Sequence, residues 1–236
     1  MKRLVLDYFF VCTGLAVMVA YHTWLVYRVV KHPSKTVMGI NAINRRIWVR
    51  VMMEDAPKNG VLAVQTLRNN IMASTLLASM AIMLSSVIAI MMSNGGARPA
   101  RVIYGDTSEL GFSIKYFSIL VCFLLAFLLN VQSIRYYSHA SILISVPMKK
   151  IPSPVHLTAE YVGKIVNRGS HFWSLGLRAF YFSFPLFLWI FGPIPMFLCC
   201  LLLVFLLFFL DLTFEFDSSS GGLDDQDEAD LTPSYV

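Results

Sequence analysis

The chain has 236 residues, of which 57% are hydrophobic and 14% charged, with a formal net charge of +5. Soluble domains run to about 45–50% apolar and about 25% charged residues. A mean hydropathy of +0.65 therefore excludes an ordinary soluble enzyme or nucleic-acid-binding domain, and no nucleic-acid partner is expected.

A helix needs roughly 20 apolar residues to cross the hydrocarbon core, and the first such run is Leu4 to Val30. Lys2 and Arg3 ahead of a run reaching Ala20 imitate a secretory leader. The run continues through Trp24, Leu25, Val26 and Tyr27, however, and Met18-Val19-Ala20 is a poor cleavage site, so it reads as a retained span. Val37 to Met53 follows, with Ile40, Ile43, Ile47, Trp48 and Val51 at helical spacing and Arg45, Arg46 and Arg50 on the other faces. It is an amphipathic helix for which two placements stay open. It lies on the anionic leaflet, with Arg45, Arg46, Arg50 and Trp48 as surface residues, or it packs under the bundle as a cap.

The second span covers residues 63–92 and the third 112–138. A breaker from Pro147 to Pro154, with a Ser153-Pro154 step as a weak phosphorylation signal, precedes a second amphipathic helix from His156 to Ser174. The fourth apolar stretch, 178–211, is long for one span and short for two. Gly192-Pro193-Ile194-Pro195 interrupts it, and one kinked span is the preferred reading, with a hairpin or a fifth span as the alternative. Residues 213–236 form an acidic, Gly- and Ser-rich tail expected to be disordered. The predicted fold is thus an all-α integral membrane bundle of four transmembrane helices with two amphipathic cytoplasmic helices.

Fourteen of the 19 Lys and Arg residues fall in the two segments from Arg28 to Arg68 and from Arg135 to Arg178. The positive-inside rule then makes both long loops cytoplasmic and places both termini on the other side. The four cysteines, 12, 122, 199 and 200, all lie in apolar runs and read as small buried hydrophobes, not as a disulfide frame or metal site.

Arg28, Arg68, Arg135 and Arg178 lie at the inner ends of the four spans, at about the same depth when about 1.5 Å is allowed per residue. If the helices close into one bundle, these guanidinium groups form a ring. Gln65, Thr66, Asn69 and Asn70 surround Arg68, and Thr75, Ser79 and Ser86 continue the polar face, while Asn130, Ser133 and Tyr137 accompany Arg135. Hydrocarbon offers such groups no partners, so both faces are expected to point inward. Arg68, Arg135, Gln65, Asn69, Asn130, Arg28 and Arg178 are the candidate ligand-binding residues, suited to an anion or an anionic lipid headgroup because arginine presents five donors. The competing readings are snorkelling arginines and a hydrogen-bonded network that holds helix to helix.

No carboxylate occupies a midplane position that a cation relay needs, and His22 in the first span is either a charge switch or a structural histidine. The histidines have neither metal-ligand spacing nor acidic partners, and no phosphate-cradling glycine loop occurs, so no enzyme activity, metal or cofactor is expected.

The segments NRRIWVRVMM (Asn44 to Met53), AVQTLRNNIMASTLLAS (Ala63 to Ser79) and RAFYFSFPLFLWIFGP (Arg178 to Pro193) carry a resemblance. Over roughly Leu4 to Leu210 the chain resembles the plant and bacterial membrane proteins grouped as domain of unknown function 599, and it is most similar to the plant members. The resemblance implies a multi-span helical membrane protein and assigns no activity to residues. Two functions are carried forward. One is a small-solute or anion channel or transporter acting as a homo-oligomer; the other is a non-transporting scaffold, lipid-binding protein or accessory subunit. Membrane lipids are the expected partners in either case.

Overall fold

The computed structural model describes residues 2–93, 108–146 and 158–212. Its elements are α1 (Lys2–Lys31), a 3-10 turn at Pro33–Lys35, α2 (Val37–Glu54), α3 (Ala56–Ser93), α4 (Glu109–Ile144), α5 (Ala159–Trp189) and α6 (Pro193–Asp211). Helix starts follow local chemistry. The side chains of Thr36, Ser108 and Thr158 each accept a bond from the backbone N–H three residues on, satisfying a donor that the first helical turn leaves open. Tyr8–Lys31 of α1, all of α3, all of α4 and α6 are long and apolar enough to cross a membrane. The all-α membrane fold with four such helices is therefore as the composition predicts.

The fourth apolar stretch is built differently from the single kinked span expected. α5 runs unbroken through Arg178 to Trp189, fusing the predicted second amphipathic helix to the first half of the predicted span. Beyond it the amides of Phe191 and Gly192 both bond to the Leu188 carbonyl. Gly192 has φ 153°, a conformation available at low cost to glycine alone. Pro193 then opens α6, where the N–H it lacks has no helical acceptor. The chain reverses: Arg178 Nη2 lies 2.6 Å from Asp211 Oδ1, whereas one continuous helix would hold these residues about 50 Å apart. Glycine and proline here stop one helix and start another.

The hairpin also corrects the expected location of the C-terminal side. α6 runs in the same direction as α1, with Phe10 against Phe197, Trp24 against Phe208, and Tyr21 bonded to Asp211. Leu212 forms an antiparallel bridge with Thr36, just after the end of α1. Leu212 thus lies at the basic end of the molecule, opposite the start of α1. The acidic tail and the Ser153-Pro154 step lie outside the described residues.

In space the long helices form a row, α3–α4–α5–α6–α1, in which α1 and α3 share no substantial contact. Val11, Met18, Ala81, Ile119, Phe123, Phe180 and Met196 belong to the main core along this row. A second core closes the basic end, where Val49 and Met53 of α2 pack with Leu67, Tyr137, Ile144 and Val162. Burying each such side chain is worth about 1.5–3 kcal/mol relative to water. α2 is therefore a cap on the bundle, yet Ile43, Ile47 and Val51 remain exposed on its other side. At the opposite end Lys115 is buried, its ammonium 5.3 Å and 5.5 Å from the rings of Phe112 and Trp189.

Candidate functional site

The predicted ring of arginines does not form. Ser74, Ser133 and the Gly169 carbonyl are joined by bonds of 3.2 and 2.8 Å and mark one level across α3, α4 and α5. From that level Arg68 lies about 9 Å and Arg135 about 3 Å toward the basic end, while Arg178 lies about 13 Å the other way, given the helical rise. Arg68 and Arg135 are both exposed. Arg28 is half-buried, with its guanidinium 5.3 Å over the Trp24 ring. An open row separates α1 from α3, so their side chains have no common interior to enter.

The polar face of α3 also points away from the protein. Gln65, Arg68, Asn69, Thr75, Ser79 and Ser86 are exposed, and the buried stripe is Ala63, Leu67, Ser74, Ala78, Ala81 and Ser85. Thr75 and Ser86 satisfy their hydroxyls on carbonyls of their own helix four residues back. On α4 the expected inward face is correct: Asn130, Ser133 and Tyr137 are buried. Asn130 donates to the Ala126 carbonyl at 2.8 Å and packs on Gly176 of α5. A Cβ at position 176 would stand 2.5 Å from Asn130 Nδ2, so these two residues set the approach of the helices.

Arg178 is the one member of the predicted set held in a charged cluster. Asp211 takes a bond from Arg178 Nη2 on one oxygen and from the Tyr21 hydroxyl, at 2.7 Å, on the other. His22 Nδ1 lies 2.8 Å from the Met18 carbonyl, and its Nε2 is 3.5 Å from Arg178 Nη1. A carbonyl cannot donate, so Nδ1 carries the hydrogen and Nε2 presents its lone pair to the guanidinium. Structural histidine is the role this geometry supports.

Arg45, expected on the membrane surface, turns inward instead. Its Nε donates to Asn167 Oδ1 at 2.8 Å, and Asn167 Nδ2 in turn donates to the Ala42 carbonyl at 3.0 Å. Burial lowers the Arg45 pKa from its ordinary value, and the nearby Tyr137 partly offsets this. Two cavities, of about 210 and about 290 Å³, share the wall made by Arg45, Ser170 and Trp173. The first extends between α2, α5 and α6 to Asn41, Ser174, Arg178 and Asp211; the second reaches Asn70, Ala73 and Tyr137. Arg46 and Arg50 are exposed, and Trp48 is half-buried against the second core. Among the described residues no three His, Cys, Asp or Glu side chains gather into a metal-binding group.

The family described as Protein of unknown function, DUF599 matches residues 9–216. The chain belongs to this family. It matches no curated protein and no solved structure.

Several members of the cleft in this DUF599 protein escaped the sequence reading. A single kinked span would put Asp211 at the outer end, far from Arg178; the need to neutralise Arg178 inside an apolar run is the signal that points to it. Asn167, Ser170 and Trp173 carry no motif. The spacing of Arg45 from Val49 and Met53 along α2 was the available signal for the cap face.

Proposed function

We propose that this DUF599 protein is a non-transporting membrane protein that engages anionic lipid at its basic end. The observation that carries the reading is the outward direction of Arg68 and Arg135, with Arg46 and Arg50 exposed on the α2 cap of the same end. Each basic group near an anionic surface is worth about 1 kcal/mol of attraction. Ile43, Ile47 and Val51, exposed on the cap, supply apolar contact beside them. Polymer-extracted native discs test the proposal. Wild-type discs are expected to be enriched in anionic lipid over the parent membrane, and the Arg46→Gln, Arg50→Gln, Arg68→Gln, Arg135→Gln variant is expected to lose that enrichment. Wild-type discs with bulk lipid composition would overturn it.

A second reading, a small-solute or anion pathway formed between copies, draws on the exposed polar face of α3. Gln65, Asn69 and Ser79 face away from their own bundle, and a second copy would supply partners that lipid does not. Anion efflux from liposomes that is abolished by Arg68→Gln would establish this reading and displace the first.

A further inference from the structure

The cleft behind Arg45 has a chemistry distinct from that of the exposed belt. Trp173 Nε1 is buried and has no hydrogen-bond partner. An indole N–H donates only, and so does a guanidinium; the side chains that carry them, Trp173 and Arg45, both line the two cavities. Asn167 holds Arg45 by Nε, which leaves the guanidinium fixed and its two Nη groups on the remaining edge. Arg178, in the same wall, is neutralised by Asp211. Among the described residues no carboxylate pairs with Arg45, so the cleft keeps one net positive charge.

A ligand that satisfies fixed donors and a fixed positive charge must offer several acceptor oxygens and negative charge. The geometry points to a phosphate-binding site at Arg45 and Trp173, with Ser170 shared between the cavities as a further donor. Phosphate accepts from many directions and suits arginine in particular. The first cavity is also walled by Val37 and Met38 of α2, Leu177 of α5, and Leu207 and Leu210 of α6, an apolar lining that fits the glycerol and first methylenes of a phospholipid entering from the leaflet. Free phosphate shares the anchoring chemistry and lacks that apolar portion. The site goes beyond the proposed lipid engagement of the belt: the belt acts by surface potential, whereas the cleft selects by donor placement.

Calorimetric titration of the detergent-solubilised full-length chain separates the cases, using dioctanoyl phosphatidylglycerol, dioctanoylglycerol and inorganic phosphate as probes. The phospholipid is expected to bind and the phosphate-free diacylglycerol is not. Trp173→Phe keeps an aromatic ring and removes the donor, and is expected to weaken binding about tenfold, as loss of a hydrogen bond to a charged group does. Arg45→Gln is expected to weaken it at least as much, and Trp173→Phe keeps the test decisive if Arg45→Gln also loosens Asn167. Inorganic phosphate binding with the same dependence on Trp173 would support the site and assign it to free phosphate. Phospholipid binding lowered by Arg68→Gln and Arg135→Gln but indifferent to Trp173→Phe would overturn the site and leave the belt standing. Absence of binding by both phosphate-bearing probes would also overturn it.

Discussion

Arg178 and Asp211 meet at 2.6 Å across the α5–α6 hairpin, 33 residues apart in the chain, with side chains only 12% and 15% exposed. Removing one partner of such a pair strands a charge that burial cannot accommodate. Arg178→Gln or Asp211→Asn is expected to cost about 2–3 kcal/mol, less than a fully buried pair because some solvent reaches it. Thermal unfolding in detergent reads the loss. The double variant Arg178→Met, Asp211→Leu should recover most of it, since no unpaired charge remains.

The hairpin predicts sidedness. With the native cysteines replaced, Leu212→Cys should react with a membrane-impermeant thiol reagent from the same side as Ser34→Cys and from the opposite side to Glu109→Cys. Labelling of Leu212→Cys together with Glu109→Cys would restore the single kinked span.

Gly192 holds a left-handed conformation at φ 153°. Gly192→Ala should therefore destabilise the protein by about 1–2 kcal/mol, in the range of strained backbone sites. Gly111, an ordinary helical position at the start of α4, is the control; Gly111→Ala should leave stability unchanged or slightly raised.

Gly176 and Asn130 should be energetically coupled. Gly176→Ala drives a Cβ to 2.5 Å from Asn130 Nδ2 and is expected to cost about 1–3 kcal/mol. Adding Asn130→Ala opens the space, so the double variant should be more stable than the sum of the two single effects. Simple additivity would mean that the contact does not set the helix separation.

Ser133 links three helices, yet Ser133→Ala should be mild. Hydrogen bonds between membrane helices average about 0.6 kcal/mol, and Ser133 has two at most, to Ser74 and to the Gly169 carbonyl. A loss near 1 kcal/mol in the unfolding equilibrium is expected. A loss above about 3 kcal/mol would show that the α3–α4–α5 level is far more rigid than average.

Composition and apolar run length determined the class, the all-α fold and the four candidate spans, because the energy of moving residues into hydrocarbon depends on their type and not on their neighbours. Local capping chemistry acts at the same level: Thr36 stands just ahead of the predicted helix start at Val37, whereas the predicted start at His156 precedes the Thr158 cap by two residues. The direction of the chain after Gly192 was a tertiary decision. A Gly-Pro step permits either a bend or a reversal, and the pairing of Arg178 with Asp211 and of α6 with α1 selects the reversal. The same holds for the arginines. Periodicity shows that Arg68, Gln65 and Asn69 share a face, but only the order of helices in the row tells whether that face looks at protein or away from it. By placing α3 at the end of the row and α2 across the basic end, packing turned Arg68 outward and brought Arg45 to Trp173.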